Sequence, residues 1–280
     1  MTPGSQSHTA AINTDQPWFV LGAADQYELL LSHDRSISHF YRFEADASNG
    51  LIFAVPDGCI DIVFDCDPAS PSVRVCGTTL EARSVALQHQ HSYFGVRFPI
   101  GVVPEFLDTR AKYLVGQEIN LADLMQHADS LTDRIVSQSS IADQAREFQR
   151  FHNGQQNPQT SAVTDQALSL IYARKGNIQT QEIASATGWS RRTILRQFQE
   201  DLGLAPKTFC RIIRCQAAMS DINREDHINL SSLAYDLGFS DQSHFLKDFR
   251  RLVSITPFEF KAKVSTDHYL RKIHIHNNSV

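Results

Sequence analysis

Two segments of this 280-residue chain, residues 191–198 and 242–251, carry polar and basic side chains on one face of a predicted helix. Apolar residues form the opposite, inward face of each motif: Trp189, Ile194 and Phe198 in the first, and Phe239, Phe245 and Phe249 in the second. Arginine can bind guanine through two hydrogen bonds and also holds phosphate well, so the outward faces predict nucleic-acid contacts. The predicted contact residues are Arg191, Arg192, Thr193, Arg196 and Gln197 in the first segment, and Gln242, Ser243, His244, Lys247, Arg250 and Arg251 in the second.

Both segments belong to a degenerate internal repeat, in which residues 178–206 recur at 228–257. Gly188 aligns with Gly238 at an offset of 50 residues, whereas Phe198 aligns with Phe249 at 51, so one residue has been added inside the second copy. Each copy predicts a short amphipathic helix, a glycine followed by an aromatic residue, and a second helix. This is the pattern of a helix-turn-helix, whose second helix can enter a DNA major groove.

The offset predicts that the two second helices start in alignment and diverge along their length. Their outward residues also differ in chemistry, since the first copy has Arg191, Arg192 and Arg196, whereas the second has Gln242, Ser243, His244 and Lys247. Two copies in one chain make DNA binding the leading hypothesis, and the difference between them predicts an asymmetric DNA site.

A second group of reactive side chains lies in a strand-like segment at 84–98. His89 and His91 are two residues apart, so on a strand both would point to one face, as in the start of a metal site. No third ligand is placed by the sequence, and we predict no metal and no cofactor, with a ligand-pocket wall and an exposed strand face as the alternatives. Arg97 is expected to meet an acidic ligand or a buried carboxylate such as Asp61. The predicted small-molecule contacts are Asp61, His89, His91, Tyr93 and Arg97.

Short segments between residues 38 and 101 are rich in β-branched and aromatic residues and are broken by Pro, Gly and Asp, which predicts strands. Apolar residues then recur at three- and four-residue steps, which predicts helices. The predicted organisation is a disordered segment at 1–16, a strand-rich domain with accessory helices at 17–152, a linker at 153–161, a tandem helix-turn-helix domain at 162–265 and a C-terminal tail at 266–280.

The charge is divided unevenly between these parts. Residues 1–159 hold 10 Lys and Arg against 19 Asp and Glu, whereas residues 160–280 hold 16 against 12, so a net charge of −9 precedes one of +4. Neutralisation of phosphates supplies most non-specific DNA affinity, so the basic second part permits DNA binding. No apolar run approaches the roughly 18–20 residues of a membrane span, and residues 1–17 lack a signal-peptide pattern, which predicts a cytoplasmic protein with no membrane partner.

The five cysteines form no CxxC pair, and an odd number of cysteines in a cytosolic chain predicts reduced thiols. We expect them to be buried as small apolar residues. A redox switch among Cys59, Cys66 and Cys76 stays open as an alternative.

Residues 162–262 resemble the DNA-binding domain of the AraC/XylS family of bacterial transcription regulators, most specifically in LAYDLGFSDQSHFLKDFRRLVSITPFEF. The resemblance implies two recognition helices that enter successive major grooves, about 34 Å apart. It also implies which side chains lie nearest the bases: Arg192, Leu195 and Arg196 in the first copy, and Gln242, Ser243 and Lys247 in the second. Leu195 departs from the polar residue usual at its place, and it can offer apolar contact to a thymine methyl.

The phrases VPDGCIDIVF and SYFGVRFPIGVVPEFL resemble an uncharacterised subtype of the sensor domains attached to members of this family. That resemblance implies a cupin-like β-barrel, a regulatory role and dimerisation, and it implies no particular ligand. The predicted fold class is therefore α+β, with an N-terminal cupin-like β-barrel plus accessory helices and a C-terminal all-α domain of two helix-turn-helix motifs joined by a helix.

We expect a transcription regulator that is not an enzyme. Its expected partners are double-stranded DNA, a small-molecule effector, RNA polymerase and a second copy of the chain. One alternative is a cupin-like metal-dependent enzyme with its metal at His89 and His91. Another is a DNA-repair methyltransferase, which needs a reactive cysteine with basic neighbours, whereas the neighbours of Cys59 are acidic and raise the pKa of a thiol.

Overall fold

The computed structural model of this chain describes residues 16, 26–45, 52–153, 160–225, 228–267 and 269–276. The segment predicted to be disordered, 1–16, lies outside the described residues except for Gln16. Most of the predicted linker, 154–159, also lies outside them.

The described residues contain nine strands in two sheets. The strands are β1 (Tyr27–Leu31), β2 (His39–Glu44), β3 (Ile52–Ala54), β4 (Ile60–Asp65), β5 (Ser72–Cys76), β6 (Arg83–Val85), β7 (Ser92–Phe98), β8 (Glu118–Asn120) and β9 (Ile273–His276). The larger sheet has the order β8-β5-β4-β7-β2-β1-β9, and β3 pairs with β6 in the smaller one. All neighbours are antiparallel except β1 and β9, which are parallel.

One face of the larger sheet packs against the accessory helices. These are α1 (Ala111–Leu114), a 3₁₀ turn (Leu121–Asp123), α2 (Ala128–Val136) and α3 (Ile141–His152). The apolar side chains of β4 alternate as predicted, since Ile62 and Phe64 are fully buried in this core together with Phe148 of α3. The intervening Asp61 and Val63 face the other side of the sheet, where they line a cavity.

The second half of the chain is helical up to residue 272. Its helices are α4 (Ala162–Ala173), α5 (Thr180–Thr187), α6 (Arg191–Leu202), α7 (Pro206–Arg224), α8 (Leu230–Asp236), α9 (Gln242–Val253), α10 (Pro257–Asp267) and α11 (Tyr269–Lys272). The predicted tandem motifs are therefore present, as α5–α6 and α8–α9, and they are joined by α7. With 19 residues, α7 is about 28 Å long. No helix among the described residues has both the length and the apolar character needed to cross a membrane.

The C-terminal end of the chain returns to the N-terminal sheet. The sequence offered no clear element for the tail, but β9 pairs in parallel with β1 along Tyr27↔Ile273 to Leu30↔His276. The second motif also shares one apolar core with the strands, because Phe245 and Phe249 lie in the same cluster as Tyr41 and Phe43. The two halves of the chain thus pack together rather than being joined by the linker alone.

A strand-rich N-terminal half with accessory helices and a helical C-terminal half are both confirmed. The larger sheet is open, because β8 and β9 are its outer strands and do not pair with each other. Residues of both sheets line the cavity. Cupin-like closure of this arrangement into a barrel stays a prediction.

Candidate nucleic-acid interface and internal cavity

The first motif turns between its helices at Gly188, whose φ of 77° lies in the left-handed region that favours glycine. Ser190 then caps α6, because its hydroxyl accepts a hydrogen bond from the backbone N–H of Thr193 at 3.1 Å. Ile194 and Phe198 are fully buried, as their four-residue spacing predicts. The turn, the N-terminal cap and the buried pair together determine which face of α6 is exposed to solvent.

The outward face of α6 carries three exposed arginines, Arg191, Arg192 and Arg196. None of the three forms an ion pair with a carboxylate in the part of the chain that the structure describes. Thr193 and Gln197 are half-buried beside them. Leu195 lies on the same face with 44% of its surface exposed, so an apolar side chain sits among the basic ones.

The prediction that Trp189 faces inward is wrong. Its side chain is 40% exposed, and its indole N–H donates to Oε1 of Gln166 at 3.1 Å. Its counterpart Phe239 is 8% exposed, because the Arg214 guanidinium lies 4.8 Å above its ring and the ring of Phe245 lies 5.2 Å away. The glycine-aromatic pair therefore recurs in the sequence while its aromatic residue has a different environment in each copy.

The second motif turns at Gly238, whose φ is 73°, and its recognition helix is capped by Asp241 rather than by Ser240. The carboxylate of Asp241 accepts from the backbone N–H of His244 at 2.8 Å. Since Ser190 is the cap of the first motif, the offset between the two helices is already 51 at the cap. The added residue lies in the turn, and the expectation that the helices diverge within their length is wrong.

All six predicted contact residues on α9 are exposed: Gln242, Ser243, His244, Lys247, Arg250 and Arg251. The carboxamide oxygen of Gln242 accepts from the Ser231 hydroxyl at 2.8 Å. Asp248, which is half-buried, pairs with Arg211 of α7 through two contacts of 3.3 Å, so its charge is compensated within the protein. Arg251 forms an ion pair with Glu81 of the N-terminal half.

A cavity of about 170 Å³ lies between the two sheets. Of the predicted small-molecule contacts, Asp61, Tyr93 and Arg97 line it, whereas His89 and His91 do not. His89 lies in a turn next to Gln90, whose φ is 62°, and β7 begins only at Ser92. The expectation that both histidines point to one face of a strand is therefore wrong, because the turn breaks the alternation.

A buried ionic cluster forms one wall of the cavity. The Arg97 guanidinium donates from Nε and Nη2 to the two oxygens of Asp61, at 3.0 and 2.8 Å, and its Nη1 lies 2.9 Å from Asp57. Burial alone would lower the pKa of Arg97, but Asp61 and Asp57 hold it well above its ordinary value. The sequence left two partners open for Arg97, an acidic ligand or a buried carboxylate such as Asp61. In the structure Arg97 pairs with the buried carboxylates.

Aromatic rings form a second wall. The rings of Tyr27, Tyr41 and Tyr93 line the cavity. The ring of Tyr27 stacks on that of Tyr41 at 5.5 Å, and Tyr93 stacks at 5.2 Å on Phe43, which lies outside the lining. Tyr41 lies flat over Gly95 of the neighbouring strand, where a Cβ atom would be 2.0 Å from its ring. Glycine is thus needed at position 95 because the Tyr41 ring leaves no room for a side chain. A left-handed backbone is not the reason, since the φ of Gly95 is not positive.

Two histidines near the cavity have displaced pKa values. Burial lowers the pKa of His39 to about 3, assisted by the positive charge of Arg97. A hydrogen bond to Asp65, with Nδ1 2.9 Å from the carboxylate, raises the pKa of His91. His39 is therefore neutral near pH 7, while His91 favours the protonated form more than a free histidine does.

All five cysteines are free thiols. Burial raises the pKa of Cys66 to about 11 and that of Cys76 to about 12, which disfavours the reactive thiolate. Among the described residues, no three His, Cys, Asp or Glu side chains are grouped so that they could hold a metal ion. The alternative of a metal enzyme depended on a shared strand face for His89 and His91, which the structure does not have.

Sequence reasoning missed several residues of the cavity and of the interface between the halves. Asp57 is one of them, since its side chain is only 4% exposed and contacts Arg97. Tyr41 could have been found, because His39, Tyr41 and Phe43 alternate on one face of a strand. Nothing local to Glu81 signals its pairing with a residue 170 positions away.

Residues 183–263 match a family model described as a helix-turn-helix domain, and residues 34–120 match one described as a domain of unknown function (DUF6597). An uncharacterized HTH-type transcriptional regulator of Haemophilus influenzae is 21% identical over 98 residues, which are 35% of this chain and 33% of that protein. The HTH-type transcriptional activator RhaS of Salmonella arizonae is 30% identical over 81 residues, 29% of each chain. The chain thus spans about a third or less of the length of these curated relatives.

A solved structure is also similar to this chain. It is a transcriptional regulator from Chromobacterium violaceum, described as an AraC-type DNA-binding domain-containing protein. The sequences are 28% identical, the match covers 36% of this chain and 90% of that one, and the TM-score is 0.33.

Proposed function

Since the chain belongs by its helix-turn-helix region to the AraC/XylS family of regulators, we propose that it is a sequence-specific DNA-binding transcription regulator rather than an enzyme. The observation that carries this proposal is the outward face of α6, where Arg191, Arg192 and Arg196 are exposed and lack carboxylate partners among the described residues. Exposed guanidinium groups on a capped helix can bind guanine edges or phosphates without first breaking an internal ion pair.

The second motif supplies a different set of donors and acceptors. Because the two recognition helices align at an offset of 51 from their caps, Arg192 corresponds to Ser243 and Arg196 to Lys247. Lysine binds phosphate as a point charge and lacks the planar fork of arginine, so the two helices favour different contacts at equivalent places. We therefore propose that one copy of the chain binds an asymmetric DNA site.

We test DNA binding with duplexes selected from a random pool by the wild-type chain, followed by affinity measurements at several salt concentrations. Arg196→Ala should cost about 1–3 kcal/mol and relax specificity at one base position if Arg196 reads a base. Arg35→Ala, which removes an exposed arginine of the N-terminal half, is the matched control. Equal weakening on all sequences with a shallower salt slope would assign Arg196 to phosphate instead. Failure of the wild-type chain to enrich any duplex would count against the proposed function.

The cavity supports the finer part of the proposal, a small-molecule effector. Its walls combine aromatic rings with a few polar groups, including Tyr93 and the Arg97–Asp61 pair, and small-molecule sites in proteins have this composition. A ligand acts as an effector only if it binds one arrangement of the two halves more tightly than another. Contact with RNA polymerase, assembly with a second copy and a cytoplasmic location belong to the same proposal, because a regulator of this family acts on DNA at promoters.

A further inference from the structure

The second recognition helix is attached to the N-terminal half at a residue that was expected to contact DNA. Nε of Arg251 donates to Oε1 of Glu81 at 2.6 Å, and Nη2 of Arg251 contacts the same oxygen. The backbone carbonyl of Arg251 also accepts from the N–H of Ala82 at 3.2 Å. Both the side chain and the main chain of Arg251 are thus engaged by two consecutive residues of the N-terminal half.

The first recognition helix meets the N-terminal half in another way. Its contact lies at its C-terminal end, where Gly203 lies against the backbone of Ala111 and Lys112 of α1. The three arginines of its outward face lie at the opposite end or in the middle of the helix. The two motifs therefore differ: among the described residues, a group of the N-terminal half occupies a predicted DNA contact in the second motif and none in the first.

The segments that hold the second motif also line the cavity. Glu81 and Ala82 lie between Thr79 and Arg83, which both contribute to the cavity wall. Beyond α9, the chain continues to β9, where Ile273 lines the cavity and Nε2 of His276 lies 2.8 Å from Glu28. A change in the position of β6 or β9 would therefore move the groups on which the second motif rests.

Gln216 of α7 provides a buried contact between the same two halves. Its side-chain N–H donates to the carbonyl of Pro56 at 2.9 Å, and Gln216 itself is only 2% exposed. Pro56 is next to Asp57 of the ionic cluster. A chain of contacts thus links the cavity wall to the second recognition helix. Pro56 beside the wall contacts Gln216 of α7, and Arg211 of α7 contacts Asp248 of α9.

We propose that Glu81 competes with DNA phosphate for Arg251. By binding Arg251, Glu81 holds the second recognition helix in a docked arrangement and withholds one cationic contact from DNA. Release of Arg251 makes the contact available to phosphate, and the cavity-lining segments on both sides couple this release to whatever the cavity binds. This inference rests on the proposed function, because it concerns the regulation of the same DNA contact. A carboxylate and a phosphate are alternative partners for one guanidinium, so they exclude each other.

The test compares Glu81→Gln with Glu105→Gln in the full-length chain. Both variants remove one negative charge from an exposed side chain of the N-terminal half, and only Glu81 contacts the recognition helix. On a duplex selected by the wild-type chain, Glu81→Gln should bind about two- to fivefold more tightly, since an exposed ion pair is weak. The slope of log affinity against log salt should stay close to that of the wild type, because DNA also releases Arg251 in the wild type and the same phosphate contact forms in both complexes. Glu105→Gln should match the wild type in both measurements.

Hydrogen exchange of the wild-type chain adds a second readout. Addition of the selected duplex should increase exchange at residues 81–85 and at Ile273–His276, because release loosens both attachments. If Glu81→Gln and Glu105→Gln behave alike and exchange at both segments stays unchanged, the internal competition is refuted while DNA binding stands. If the wild-type chain selects no duplex, the proposed function itself fails.

Discussion

The buried cluster around Arg97 gives a quantitative test of how the cavity wall is stabilised. Replacing Arg97 by methionine keeps most of the side-chain volume but removes the guanidinium that contacts Asp61 and Asp57 at 2.8–3.0 Å. The three side chains are 11%, 14% and 4% exposed, respectively, so the two carboxylates would lose their cationic partner in a site that water hardly reaches.

The size of the effect follows from this burial. Removing one partner of a buried ion pair costs about 3–5 kcal/mol, because the remaining charge is left uncompensated. Arg74 offers a matched control in the same cavity wall, since its side chain is 46% exposed and its contact with Glu118 is 3.4 Å long. An exposed pair of this kind contributes about 0–1 kcal/mol. We therefore expect Arg97→Met to destabilise the protein by several times as much as Arg74→Met.

The assay is urea unfolding of both variants and of the wild type at pH 7, with the slope of each transition compared to confirm that the same structure unfolds. Adding Asp57→Asn and Asp61→Asn to Arg97→Met should recover part of the lost stability, because the orphaned charges are then absent. Equal destabilisation by Arg97→Met and Arg74→Met would refute the view that this cluster is held by charge pairing in a buried site.

Two further predictions concern the same region. In the native protein His39 stays neutral down to about pH 3, whereas the unfolded chain takes up its proton near pH 6.5, so stability must fall as the pH falls through this window, by up to about 1.4 kcal/mol per pH unit. Unfolding free energies at pH 7 and pH 5 should show a weaker pH dependence for His39→Gln than for the wild type, and an identical dependence would contradict the assignment. Gly95→Ala should cost about 1–3 kcal/mol, because the new methyl group overlaps the Tyr41 ring. A double-mutant cycle with Tyr41→Ala checks this origin, since the two losses should not add if they share the contact, and simple additivity would argue against it.

Much of the candidate DNA interface could be predicted because its determinants are local. The left-handed turn at Gly188, the cap at Ser190 and the four-residue spacing of Ile194 and Phe198 each involve residues within one or two helical turns. A short stretch of sequence therefore contains both the signal and its physical cause. The position of the extra residue in the second repeat was harder to predict from the sequence. Ser240 and Asp241 can both cap a helix, and only the folded turn shows that Asp241 is the cap.

The sequence by itself determined the two helix-turn-helix motifs, the division into a strand-rich and a helical half, and the outward face of each recognition helix. Only the tertiary structure decided that Arg97 meets Asp57 and Asp61, that β9 joins the sheet beside β1, and that Arg251 is held by Glu81. The physical reason is the range of the contacts. Periodicity and capping act between neighbours in the chain, whereas ion pairs and strand pairings across 36 to 248 positions arise only when packing brings distant segments together.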